Sequence, residues 1–133
     1  MSETNLRAFY DRYIAALNAR DFDAMDKFIH DNATLNGRPV TRADVLTVQR
    51  QDAAAVPDLR WVVVNLIIEG DRLGAQLLNT GTPIKQFAGV MPTGAPFQIA
   101  EYAVYEVRDG RFIHMTAIRD AEAVKHQLNL STR

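Results

Sequence analysis

The periodicity of the chain changes at Pro57, and that change limits the fold more than any other feature. Before it, Leu6, Phe9, Tyr10, Tyr13, Ile14 and Leu17 recur at the spacing of one helix face. After it, LRWVVVNLIIEG and LGAQLLNTGTP read as strands joined by the tight turn GDR. PFQIAEYAVYEV and RFIHMTAI then form a hairpin about Asp109-Gly110, a strong two-residue turn signal. Helices first and an antiparallel sheet afterwards predict an α+β domain.

The helical half divides into three. Ser2 or Thr4 can cap the first helix. Asp21 opens a short second one, with Phe22, Met25, Phe28 and Ile29 as its buried side. DNATLNGRPV is a turn-rich connection with one short strand. Thr41 and Asp44 make a capping pattern for a third helix, whose Val45 and Val48 face inward. DAEAVKHQL closes the chain as a short helix. With no linker, repeat or biased tract, residues 1–133 read as a single domain.

What is missing narrows the chemistry. There is no cysteine, which excludes disulfides, thiol nucleophiles and Cys-ligated metals. Ser2 and Ser131, both near the ends, are the only serines, which argues against a Ser-His-Asp hydrolase. The seven glycines form neither GxGxxG nor GxxxxGK[ST]. His30, His114 and His126 lie far apart without ligand spacing, so no metal is expected. The net charge of −1, with no Lys/Arg cluster, argues against nucleic acid or an anionic membrane as partner. The longest apolar run, Trp61 to Ile68, is too short to span a bilayer, and the start has no signal-peptide pattern. The default expectation is a cytoplasmic protein. Any chemistry must rest on carboxylates, histidine, tyrosine and water.

A regular hairpin about Asp109-Gly110 sets Tyr105 opposite His114, Ala103 opposite Thr116, Glu101 opposite Ile118 and Ile99 opposite Asp120. Those residues would share one face, suited to a pocket wall. Ala100, Tyr102, Val104, Met115 and Ala117 would share the other with Gln98, Glu106 and Arg119. That second face is mostly small or apolar, and a partner subunit is its simplest cover. A three-residue loop with a bulge at Gly110 would flip the second strand.

Pro57-Asp58-Leu59, Glu69-Gly70-Asp71-Arg72, Gly81-Thr82, Phe87-x-Gly89, Pro92-Thr93-Gly94-x-Pro96 and Asp109-Gly110 together carry a resemblance. From about residue 57 to 128 the chain resembles the SnoaL-like polyketide cyclase family of the NTF2-like superfamily. The resemblance implies an NTF2-like cone, with three N-terminal helices packed on a strongly curved antiparallel sheet around an apolar cavity. It also implies a homodimer through the outer sheet face, and intramolecular aldol chemistry without metal or cofactor, run by a pocket aspartate. Counted from Gly110, the family's last aspartate is Asp120. Where the family has Glu-His-Trp, this chain has His114-Met115-Thr116.

The site expectations follow. Asp120 is the candidate acid/base, since a carboxylate facing a dry cavity is pushed toward useful proton transfer; the competing role is N-cap of the last helix. His114 is a candidate to stabilise an enolate oxygen. Glu101 either lines the cavity or pairs structurally, for instance with Arg119. Tyr10, Tyr13, Trp61, Ile99, Tyr105, Thr116 and Ile118 are expected to contact substrate. The leading function is a cofactor-independent acid/base enzyme on an apolar carbonyl-bearing molecule, a polyketide cyclase or related isomerase or lyase. The alternative is a non-catalytic small-molecule-binding dimer. Epoxide hydrolysis needs an Asp-Arg-Asp relay inside the pocket; adjacent Arg119 and Asp120 point to opposite faces of a strand, so it ranks last.

Overall fold

The computed structural model describes residues 1–130; Ser131 lies outside the described residues. Helix α1 (Glu3–Asn18) buries the predicted stripe from Leu6 to Leu17, and the Ser2 side chain caps it by accepting from Asn5 N–H. Beyond it, Phe22–Lys27 forms a 3-10 turn, and strand β1 (Ile29–Leu35) begins where a longer helix was expected. Asp21 stands at the turn's N-cap position, but its side chain makes no capping bond. A 3-10 stretch satisfies its backbone locally and is rarely extended, so Ile29 is free to enter the sheet.

Strand β1 and β2 (Arg38–Thr41) form a hairpin about Asn36-Gly37, both at positive φ, where only one short strand was foreseen. Helix α2 (Arg42–Ala55) follows, opened by the predicted capping box of Thr41 and Asp44. Strands β3 (Arg60–Glu69), β4 (Arg72–Gly81), β5 (Phe97–Arg108) and β6 (Arg111–Arg119) then form a meander, and helix α3 (Ala121–Leu130) ends it. The sheet order is β2-β1-β6-β5-β4-β3. It is therefore a six-stranded mixed sheet, not an antiparallel one, because β1 runs parallel to β6.

Three irregularities curl this sheet, at Val64 in β3, between Ile29 and Thr34 in β1, and at Ile113 in β6. Its concave side closes over an aromatic cluster of Phe9, Tyr10, Tyr13, Phe28, Tyr105 and Phe112, with ring centroids 4.6–6.4 Å apart. Burial of each such side chain stabilises the fold by roughly 1.5–3 kcal/mol. The open end of α1 is tied to β3 by Asn18, whose amide donates to Trp61 O and accepts from Trp61 N–H, both at 2.9 Å. Gly81 is required where β4 meets the 56–59 connection: a Cβ there would stand 2.4 Å from Val56 Cγ1. Among the described residues no helix is long and apolar enough to cross a membrane.

Candidate functional site

The turn at Asp109-Gly110 forms as predicted, with Arg108 opposite Arg111 and both turn residues at positive φ. The register then slips. Ile113 bulges, Val107 pairs with Phe112, and Glu106 pairs with His114. From that point every β6 side chain exchanges faces. Tyr105 opposes Met115, Ala103 opposes Ala117, and Glu101 opposes Arg119.

This slip corrects the expected site. Asp120 is exposed, outside the cavity, and its Oδ1 accepts from Ala123 N–H at 3.0 Å. It is the cap of α3. His114 stands on the outer face between Thr34 Oγ1 at 2.8 Å and Glu106 at 3.4 Å, half exposed. Ile118 is 67% exposed on the same outer face. Ile99 and Tyr10 are buried in the core without lining the cavity, and Tyr10 meets Tyr105 hydroxyl to hydroxyl at 3.2 Å.

The cavity itself lies between α1, α2 and the concave sheet, with a volume of about 190 Å³. Tyr13, Trp61, Tyr105 and Glu101 line it as expected, and Thr116 borders it from the outer strand face. Met115, Ala117 and Arg119 enter from β6 in place of His114, Ile118 and Asp120. Helix α2 adds Val45, Val48, Gln49 and Asp52. Those four positions follow helical spacing, so the polar pair Gln49 and Asp52 extends past Val48 the stripe begun by Val45 and Val48.

One end of the cavity is charged. Arg119 donates from Nη1 to Asp52 Oδ2 at 2.8 Å and from Nε to Asn79 Oδ1 at 2.7 Å. Its guanidinium also lies over the Phe87 ring, 5.1 Å from the centroid. Glu101 Oε1 is 3.7 Å from Arg119 Nε, beyond hydrogen-bond reach. Glu101 is only 7% exposed, and this oxygen has no hydrogen-bond partner among the described residues. One helical turn before Asp52, Gln49 Nε2 donates to Tyr13 Oη at 3.2 Å, which leaves the Tyr13 O–H to point elsewhere. Burial pushes the phenols of Tyr13, Tyr10 and Tyr105 well above the usual tyrosine range, so they remain donors at ordinary pH. No group of three or more His, Cys, Asp or Glu side chains that could hold a metal occurs among the described residues.

The sequence model of the SnoaL-like polyketide cyclases matches residues 7–128, nearly the whole chain. The chain belongs to the SnoaL-like polyketide cyclase family. A SnoaL-like polyketide cyclase from Agrobacterium tumefaciens is similar at 29% identity and a TM-score of 0.88, over 92% of this chain and 97% of that one. IdmH from Streptomyces antibioticus is similar at 26% identity and a TM-score of 0.82, again over 92% and 97%. TsrD from Streptomyces laurentii shares the fold, with a TM-score of 0.87 at 21% identity over 96% and 97%. Comparison with curated proteins returns no match. In this SnoaL-like protein the pocket places a buried glutamate beside an arginine that other partners already hold.

Proposed function

We propose that this SnoaL-like protein is a cofactor-independent acid/base enzyme acting on a compact, apolar, carbonyl-bearing molecule, with Glu101 as the proton-transfer group. The observation that carries this reading is the Glu101 carboxylate, which lines the cavity and whose buried Oε1 makes no hydrogen bond among the described residues. Leaving such an oxygen unsatisfied costs about 1–3 kcal/mol, a cost that a bound ligand removes. Glu101 would take a proton from a carbon beside a carbonyl. The Tyr13 O–H would donate to the enolate oxygen as charge develops there. The carbanion then attacks a second carbonyl of the same molecule, and the alkoxide recovers the proton from Glu101. A cavity of about 190 Å³ compares with the ~150 Å³ that admits a benzene ring. It suits a substituted ring rather than a long polycycle.

The test is protein-accelerated exchange of α-hydrogens for deuterium, followed by NMR across a panel of one- and two-ring ketones. Exchange no faster than in buffer, for ketones that raise the melting temperature, would remove the catalytic reading and leave the ligand-binding one.

A second reading has its own observation. Arg119 stands between Asp52 at 2.8 Å and Glu101 at 3.7 Å, a carboxylate–guanidinium–carboxylate series inside the pocket. It is assembled from three elements rather than from the adjacent Arg119 and Asp120. In epoxide hydrolysis one carboxylate would accept a proton from water as its oxygen attacks carbon. The other, entering protonated, would give its proton to the epoxide oxygen, yielding a diol. Incubation with apolar epoxides in labelled water is expected to give a diol carrying one labelled oxygen if this reading holds, and no diol if it fails.

The protein is further proposed to act as a homodimer. Ile67 of β3, Tyr102 and Val104 of β5 and Ile118 of β6 are 57–67% exposed on the outer face. The bulge moves Met115 and Ala117 out of the expected interface and brings Thr116 and Ile118 into it. Replacing Val104 and Ile118 with lysine is expected to give monomers, because burying unpaired charge is costly. An unchanged mass by light scattering would exclude this face as the interface.

A further inference from the structure

Glu101 and Arg119 are register partners on adjacent strands, with opposite charges on the same concave face. Such a pair ordinarily closes to a charge-assisted contact of about 2.7–2.9 Å. Here Nε and Oε1 stay 3.7 Å apart. The reason is visible around the guanidinium. Asn79 on β4 takes its Nε–H, Asp52 on α2 takes an Nη1–H, and Phe87 of the 82–96 segment lies against its face. The strongest of these anchors is Asp52, the one that bears charge.

We propose that Asp52 is a positioning residue that holds the Arg119 guanidinium off Glu101, so that a lone pair of the buried carboxylate stays open to substrate. This rests on Glu101 being the proton acceptor. The alternative for Asp52 is a plain tie between α2 and the sheet, and the two roles part on what Arg119 does when Asp52 is removed. A tie that is cut leaves Glu101 as it was. A counterweight that is cut lets the guanidinium swing to the nearest remaining anion, which is Glu101, and its open lone pair is then consumed. Asn79 alone cannot prevent this, since a neutral amide competes poorly with a carboxylate for a cation.

The experiment uses Asp52→Ala, the near-isosteric Asp52→Asn and the charge-preserving Asp52→Glu. With Ala or Asn, kcat is expected to fall about tenfold or more while KM changes little, a part of the full effect of losing a general base. Asp52→Glu is expected to recover most of the rate by holding Arg119 again. Crystal structures of the Ala and Asn variants are expected to show Arg119 closed onto Glu101, at hydrogen-bond distance. A folded Asp52→Ala or Asp52→Asn protein that keeps the wide Arg119–Glu101 separation overturns the inference, and so does an Asp52→Glu variant no faster than Asp52→Asn. Normal turnover in Glu101→Gln would instead overturn the assignment of Glu101, and the Arg119 position in the Asp52 variants still reads the counterweight separately.

Discussion

Glu101→Gln is expected to lower turnover by about 100- to 10,000-fold while the protein stays folded. The amide has the same shape but cannot accept a proton in the pH range where the protein is stable, so what is lost is proton transfer. Stability is expected to change by about 1 kcal/mol or less. Arg119 keeps its bonds to Asp52 and Asn79, and Glu101 Oε1 made no hydrogen bond that the amide forfeits. Replacing a buried charge with a neutral group can even stabilise. The control is Asp120→Asn. Asparagine caps a helix about as well as aspartate, and Asp120 lies outside the cavity, so both rate and melting temperature are expected to stay near wild type. The reverse pattern, a dead Asp120→Asn and an active Glu101→Gln, would sink the proposed site.

The contrast between those two carboxylates shows what the sequence revealed and what it concealed. The architecture was legible because hydrophobic period is set by burial, and burial here follows rule: the α1 stripe, the α2 capping box and the Asp109-Gly110 turn all form where the residues place them. The parallel β1 was not, since His30, Asp31 and Asn32 sit on a strand with exposed positions and read as loop. The site was lost through one residue. A bulge at Ile113 costs nothing that a regular alternation displays, yet it turns every later side chain over. A clue was present in the strand itself. Phe112 and Met115 are both buried and stand three apart, where regular alternation allows two or four. Regular pairing would also have put His114, Thr116 and Asp120 into an apolar concavity and left Met115 and Ala117 outside. Polarity along β6 thus favoured the slip, and counting from the turn favoured the wrong face.

Raising the pH above about 10 is expected to unfold the protein steeply, through the buried tyrosines. Tyr10, Tyr13 and Tyr105 are buried together, and loss of hydration is the main cause that pushes each phenol up, with the nearby Glu101 charge adding to it. A group whose folded pKa is raised contributes stability that is complete below its unfolded pKa, about 10 for tyrosine. Above that value the unfolded chain releases protons that the folded one retains, so stability falls as pH rises. Each phenol then costs about 1.4 kcal/mol per pH unit. Three acting together lower stability about three times as steeply as one, against the ~5–15 kcal/mol that holds a domain together. In a Tyr102→Phe background, tyrosinate absorbance should rise only as near-ultraviolet circular dichroism collapses, and Tyr10→Phe should shift the midpoint to higher pH. Tyrosinate forming while the native dichroism persists would mean that the cluster admits water and charge.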